Sequence, residues 1–155
     1  MAKIERFEDI VAWQKARELV REVYRVSSDG RFAKDYGLRD QLRRAAVSVM
    51  LNIAEGFARK TSREFMQFLV VAHGSVAEVQ SAIYVALDQS YISQGQFDSL
   101  YKRADETSKL IMGFSSYLRK SPTNARNPKT AVNSTGSLNS ANSMDSMNFR
   151  NSGTL

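Results

Sequence analysis

The sequence predicts an all-α fold, an antiparallel up-down-up-down four-helix bundle followed by a disordered C-terminal tail. Apolar residues recur at intervals of three and four through residues 1–120, which is the period of helices that bury one face. Polar turn residues interrupt this pattern three times, and the composition changes sharply near residue 120. A chain of 155 residues with 43% hydrophobic and 25% charged residues suits one domain with a short appendage.

Four helices are predicted. In chain order they run from about residue 8 to 27, from 38 to between 56 and 60, from 61 or 62 to about 90, and from 95 to about 118. Thr61 or Ser62 is expected to cap the third helix, and Ser93-Gln94-Gly95 is expected to cap the fourth. Because the helices are joined by short polar connections, neighbours along the chain should run antiparallel.

Residues 1–120 form the predicted bundle, and residues 121–155 form the predicted Asn/Ser-rich tail. The tail holds seven Asn, seven Ser, four Thr and both prolines of the chain, with few large apolar residues. A segment of this composition cannot offset the entropy lost on ordering, so we expect disorder. The alternative is that Met144 to Phe149 folds onto a partner.

The charge and residue usage narrow the classes of function. Lys and Arg number 22 against 16 Asp and Glu, and this net charge of +6 favours an anionic partner such as nucleic acid. The absence of cysteine excludes disulfides, thiol catalysis and cysteine-ligated metals, and it fits a reducing compartment. The first ten residues hold acidic side chains and no apolar stretch, which predicts a cytoplasmic protein with no signal peptide or membrane anchor.

The sequence offers little for catalysis. His73 is the only histidine, so one chain cannot supply a histidine triad or a two-histidine metal site, and a packing or surface role is expected for it. No nucleophile and base pair, metal cluster or cofactor loop is recognisable. We therefore expect a protein that is not an enzyme and takes no cofactor and no metal.

The second predicted helix carries a specific motif. Residues 43–46 read Arg-Arg-Ala-Ala, and residues 52–56 read Asn-Ile-Ala-Glu-Gly. Together with Trp13-Gln14-Lys15-Ala16 and Gly74-Ser75-Val76-Ala77-Glu78, they make residues 4–119 closely resemble the 23S rRNA intervening-sequence protein family of four-helix bundles. The motif residues in this chain are Trp13, Gln41, Arg44, Asn52, Glu55 and Gly56. Met50-Leu51 replaces the family's usual proline and small polar residue, so this helix should be straighter than in relatives.

The resemblance implies a function as well as a fold. It implies a small, non-enzymatic bundle that assembles into a ring-like homo-oligomer, expected to be a pentamer. Members of the family are encoded within rRNA gene insertions in some bacteria. Related bundles are accessory proteins of diversity-generating retroelements. These accessory proteins associate with a reverse transcriptase and bind nucleic acid.

Five basic residues are the candidate nucleic-acid contacts: Arg39, Arg43, Arg59, Lys60 and Arg63. Arg39 and Arg43 are four residues apart and share a helix face, and the other three follow near the helix end. Guanidinium groups bind phosphates bidentately, and a ring would repeat the cluster in every subunit. The alternative is a solvated helix surface, on a structural or protein-docking oligomer with no nucleic-acid role.

Other polar residues are assigned structural roles. Arg17, Arg21 and Arg25 form a second row, but acidic residues lie between them, which favours an ordinary solvated surface. Asn52 and Glu55 are expected to hydrogen-bond inside the bundle, with Arg44 or Gln41 as candidate partners, rather than to form a ligand or catalytic pair. Gly74 is expected to allow close approach of a neighbouring helix.

Overall fold

The computed structural model describes residues 3–121, and this part of the chain is helical with no β-strand. Its elements are a 3₁₀ turn at Phe7–Asp9 and the helices α1 (Val11–Val26), α2 (Gly30–Lys34), α3 (Tyr36–Ala58), α4 (Ser62–Asp88) and α5 (Gln94–Lys120). The four long helices correspond to the four predicted from the sequence. The predicted disordered tail, beyond Ser121, lies outside the described residues.

Each of the four long helices packs against two others. α1 packs against α3 and α5, α3 packs against α4, and α4 packs against α5. Because the α3–α4 and α4–α5 connections are only a few residues long, consecutive helices run antiparallel. The predicted four-helix bundle is confirmed.

The core is built from the apolar stripe of each long helix. Its fully buried side chains include Leu19 of α1, Ile53 of α3, Ile83 of α4 and Ile111 of α5. Burying one such side chain stabilises the fold by about 1.5–3 kcal/mol. The sequence therefore forms a bundle because all four stripes can face one shared interior.

Two polar residues fix where the later helices begin. Thr61 caps α4: its hydroxyl accepts from the Glu64 amide at 3.2 Å, and the Glu64 carboxylate accepts from the Thr61 amide at 3.2 Å. Ser93 and Gln96 make the same reciprocal pair at the start of α5. Both sites match the expected capping positions, Thr61 rather than Ser62 being the cap of α4.

The connection between the first two long helices is more ordered than the sequence indicated. It contains the short helix α2, which buries Phe32 against the ring of Tyr91 at 5.4 Å. Tyr91 in turn donates its hydroxyl to Asp35 at 3.1 Å, and Asp35 accepts from the Leu38 amide at the start of α3. The periodic pattern missed α2 because five residues are too few to show a helical stripe.

One glycine sets the distance between α3 and α4. A Cβ on Gly56 would lie 2.3 Å from Phe65 Cδ2 and 2.9 Å from Phe68 Cβ, so only glycine fits this crossing. Gly74, which was expected to allow close helix approach, is exposed, and a Cβ there would meet nothing within 4 Å in the chain. Within residues 3–121, the close approach occurs at Gly56.

Candidate nucleic-acid interface

The five predicted basic residues do not lie together. Arg39 and Arg43 are near the start of α3, whereas Arg59, Lys60 and Arg63 surround the α3–α4 turn. At a rise of 1.5 Å per residue, the 20 residues from Arg39 to Arg59 separate the two groups by about 30 Å. We call Arg39 and Arg43 the arginine clasp, and Arg59, Lys60 and Arg63 the turn cluster.

Arg43 of the arginine clasp holds α1 against α3. Its Nε donates to Ser27 Oγ at 2.9 Å, and its Nη2 donates to the Ser27 carbonyl at 3.1 Å. Ser27 is fully buried at the C-terminal end of α1, where carbonyl groups lack helical partners. The guanidinium also lies 4.5 Å from the centre of the Tyr24 ring. These contacts give Arg43 a structural role.

Arg39 of the arginine clasp has a similar environment. Its Nη1 donates to the Ala33 carbonyl of α2 at 2.9 Å, and its Nε donates to Asp40 at 2.9 Å. The guanidinium lies 4.7 Å from the Tyr36 ring, and the side chain is only 24% exposed. Arg39 therefore fixes the α2–α3 connection and presents little of its charge to solvent.

The turn cluster is the most exposed part of the predicted set. Lys60 and Arg63 are exposed on either side of the α4 cap. Arg59 is also exposed, pairs with the Glu55 carboxylate one turn earlier, and lies 4.6 Å from the Phe68 ring. Three cations thus project from one turn between two helices.

Two carboxylates, Glu55 and Glu64, reduce the positive charge around the turn cluster. The pKa of Glu64 is lowered mainly by its hydrogen bonds from Thr61, and the positive charges of Arg59 and Lys60 lower it further. Glu55 offsets the charge of Arg59 directly. The net charge of the turn stays positive because three cations face two anions.

The polar motif residues of α3 form a stripe at the surface rather than a buried network. This polar stripe consists of Gln41, Arg44, Ser48, Asn52 and Glu55. Asn52 is half-buried, and its Nδ2 donates to the Ser48 carbonyl at 2.8 Å and to Ser48 Oγ at 3.0 Å. Ser48 Oγ and Ser75 Oγ share a hydrogen bond of 2.9 Å, which links α3 to α4. Sequence reasoning missed both contacts, although the i, i+4 spacing of Ser48 and Asn52 could have indicated the bonds between those two residues.

Glu55 corrects the expectation of a buried polar pair. It is exposed and pairs with Arg59, not with Arg44 or Gln41. Arg44 is also exposed, and its Nη2 donates to Gln41 Oε1 at 3.2 Å. The polar stripe borders a surface groove of about 610 Å³ that includes Tyr24 and Leu51. The motif thus leaves hydrogen-bonding groups at the surface of the bundle.

The remaining candidates have local explanations. Trp13 packs edge-on against Phe7 at 5.1 Å, and Arg17 lies 5.9 Å from the Trp13 ring. Arg25 of the first-helix row pairs with Glu22, whose pKa this contact lowers. His73 is half-buried on α4, and no cluster of three or more potential metal ligands occurs within residues 3–121.

An apolar stripe remains exposed on α4. Its large members are Val70, Val71, Tyr84 and Val85, which are 45–69% exposed. Between them lie the small exposed residues Gly74, Ala77 and Ser81. By length and composition α4 could also cross a membrane, but core helices of soluble bundles satisfy the same test, and the other face of α4 is core. We call this set the α4 stripe.

Taken together, the fold and the motif define a small helical-bundle protein with a polar stripe on α3 and a basic turn between α3 and α4. The family model described as 23S rRNA-intervening sequence protein matches residues 8–113, and the chain belongs to this family.

A solved structure supports the fold. It is described as a protein with unknown function from the S23 ribosomal protein family of Bacteroides thetaiotaomicron. It superposes with a TM-score of 0.63 at 20% sequence identity and covers 68% of this chain and 98% of its own. No curated protein matches the chain.

Proposed function

We propose that this protein is a non-enzymatic, ring-forming homo-oligomer that binds the backbone of RNA or DNA through the turn cluster. The observation that carries this proposal is the exposure of Arg59, Lys60 and Arg63 on one turn, whereas the arginine clasp is engaged within the chain. Exposed cations on a rigid turn suit phosphate contacts, which give affinity without sequence preference.

The α4 stripe supports the oligomeric part of the proposal. Large apolar side chains exposed at both ends of the α4 stripe favour a protein interface, and the small residues between them let a second helix approach closely. The family resemblance favours five subunits in a ring. Each added subunit repeats the turn cluster, so contacts that are weak singly become multivalent.

The biological setting proposed for this binding follows from the resemblance. The protein would act in the cytoplasm, either as an accessory factor to a reverse transcriptase or as the product of an rRNA gene insertion. Neither role requires a metal, a cofactor or a membrane.

A second candidate is a structural or protein-docking oligomer with no nucleic-acid role. The observation that favours it is the polar stripe of α3, where Arg44, Asn52 and Glu55 border the 610 Å³ groove. The carboxylates Glu55 and Glu64 favour it too, since they reduce the net charge of the turn cluster. Its signature would be an assembled protein that does not retain RNA or DNA at low salt.

Paired charge-neutralising variants separate the two candidates. Lys60→Gln with Arg63→Gln removes two cations of the turn cluster, and Arg17→Gln with Arg21→Gln removes two exposed cations of α1. Affinity for a single-stranded RNA and for a DNA duplex would be measured at about 50 mM salt, with oligomer size checked in parallel. The proposal expects a large loss for the turn variant and a small loss for the α1 variant. Equal losses, or none, would contradict it.

A further inference from the structure

An apolar groove of about 480 Å³ lies between the N-terminal segment and the end of α5. Its walls are Ile4, Ile10 and Val11 on one side and Leu110, Phe114 and Tyr117 on the other. Val11 is 52% exposed, although it begins a helix whose next residue is fully within the core. Apolar surface gathered in this concave form is typical of a site that another segment covers.

The polar residues of the groove indicate what kind of segment fits. Asp9 accepts from the amides of Glu5 at 3.0 Å and Arg6 at 3.1 Å, and Lys109 pairs with Asp105 at 2.7 Å. Both charges are already compensated by neighbours on their own elements. The groove is therefore suited to an apolar segment with little charge, and not to nucleic acid.

The chain itself supplies such a segment close by. Tyr117 lies in the last turn of α5, and 34 residues follow Ser121. Among them, Met144, Met147 and Phe149 fall within six residues that carry a single charge, Asp145. Ser121 and Met144 are separated by 22 residues, and a chain of that length with random-coil dimensions has a root-mean-square span of about 25 Å. That span reaches the groove with length to spare.

We propose that residues 144–149 bind in this groove of the same polypeptide. The linker makes the binding intramolecular, with an effective concentration in the millimolar range, so a modest affinity is enough. Met and Phe side chains would contact the walls formed by Ile4, Leu110 and Tyr117. The segment would then cover the apolar surface at the end of the bundle away from the turn between α4 and α5.

Engineered cysteine pairs test the contact, because the chain has no cysteine of its own. Gly113 lines the groove, and a Cβ there meets nothing within 4 Å, so Gly113→Cys fits the fold. The test protein combines Gly113→Cys with Met147→Cys. The matched control combines Met112→Cys with Met147→Cys, since Met112 lies on the same turn, is 52% exposed and is outside the groove.

The proposal expects the Gly113 pair to oxidise at least tenfold faster than the Met112 pair and to give a single-chain product. Adding Phe149→Ser should remove that advantage. Equal rates for the two pairs, or a disulfide that joins two chains, would overturn the proposal. Hydrogen exchange of the unmodified chain gives a second test: residues 144–149 should exchange at least tenfold more slowly than residues 133–142, and equal rates would overturn the proposal.

Discussion

Replacing Arg43 with glutamine tests whether the arginine clasp stabilises the fold or binds nucleic acid. The substitution removes two hydrogen bonds to Ser27, one of them to a carbonyl at the end of α1, and the contact with Tyr24. Hydrogen bonds from charged donors contribute about 1.5–3 kcal/mol, and stranding buried acceptors adds to the loss. Because such effects are not additive, we expect the free energy of unfolding to fall by about 2–3 kcal/mol.

The assay is urea unfolding followed by circular dichroism, with RNA affinity measured below the transition. Lys60→Gln is the control, because an exposed lysine contributes about 0–1 kcal/mol. Arg43→Lys keeps the charge but lacks the planar fork, so it should recover only part of the stability. If Arg43→Gln unfolds like the wild type but loses RNA binding, the structural role assigned to Arg43 is wrong.

Three other predictions concern Gly56, the cap residue Glu64 and the α4 stripe. Gly56→Ala should destabilise the bundle by about 1–3 kcal/mol through the clash with Phe65, whereas Gly113→Ala should be neutral or stabilising in the same unfolding assay. Because folding lowers the pKa of Glu64, this carboxylate stabilises the fold above its ordinary pKa, and the stabilisation is lost as pH falls through the lowered value. Glu64→Gln should therefore make stability fall less steeply below that ordinary pKa in acid unfolding. Light scattering should give about five times the 17.4 kDa chain mass, and Val70→Glu with Val85→Glu should reduce it; an unchanged mass would place the interface elsewhere.

The long helices could be predicted from the sequence because each buries a stripe of apolar residues that recur with the helical period. The sequence placed the cap of α4 at Thr61 or Ser62 and the cap of α5 within residues 93–95, and the structure shows Thr61 and Ser93, each bonded to a partner three residues on. The helix α2 was missed because five residues are too few to show a stripe, and because its contact of Phe32 with Tyr91 joins distant parts of the chain.

The candidate site was predicted less well, for two different reasons. The separation of Arg39 from Arg59 follows from the helical rise alone, so it could have been deduced from the sequence. The partners of Arg43 could not, because Ser27 reaches α3 only through the path of the intervening connection. Asn52 and Glu55 lie one turn apart on α3, yet one bonds within the stripe and the other pairs with Arg59, since small rotations around a helix decide exposure.

The salt dependence of RNA binding tests the central claim most directly. The slope of log affinity against log salt counts the phosphates that the protein neutralises, at about 0.7–0.9 per contact. We predict a steep negative slope for the assembled wild-type protein and a shallower slope for Lys60→Gln with Arg63→Gln. The difference should correspond to the loss of up to about two phosphate contacts for each turn that binds. An equal slope in the two proteins would contradict the assignment of phosphate binding to the turn cluster.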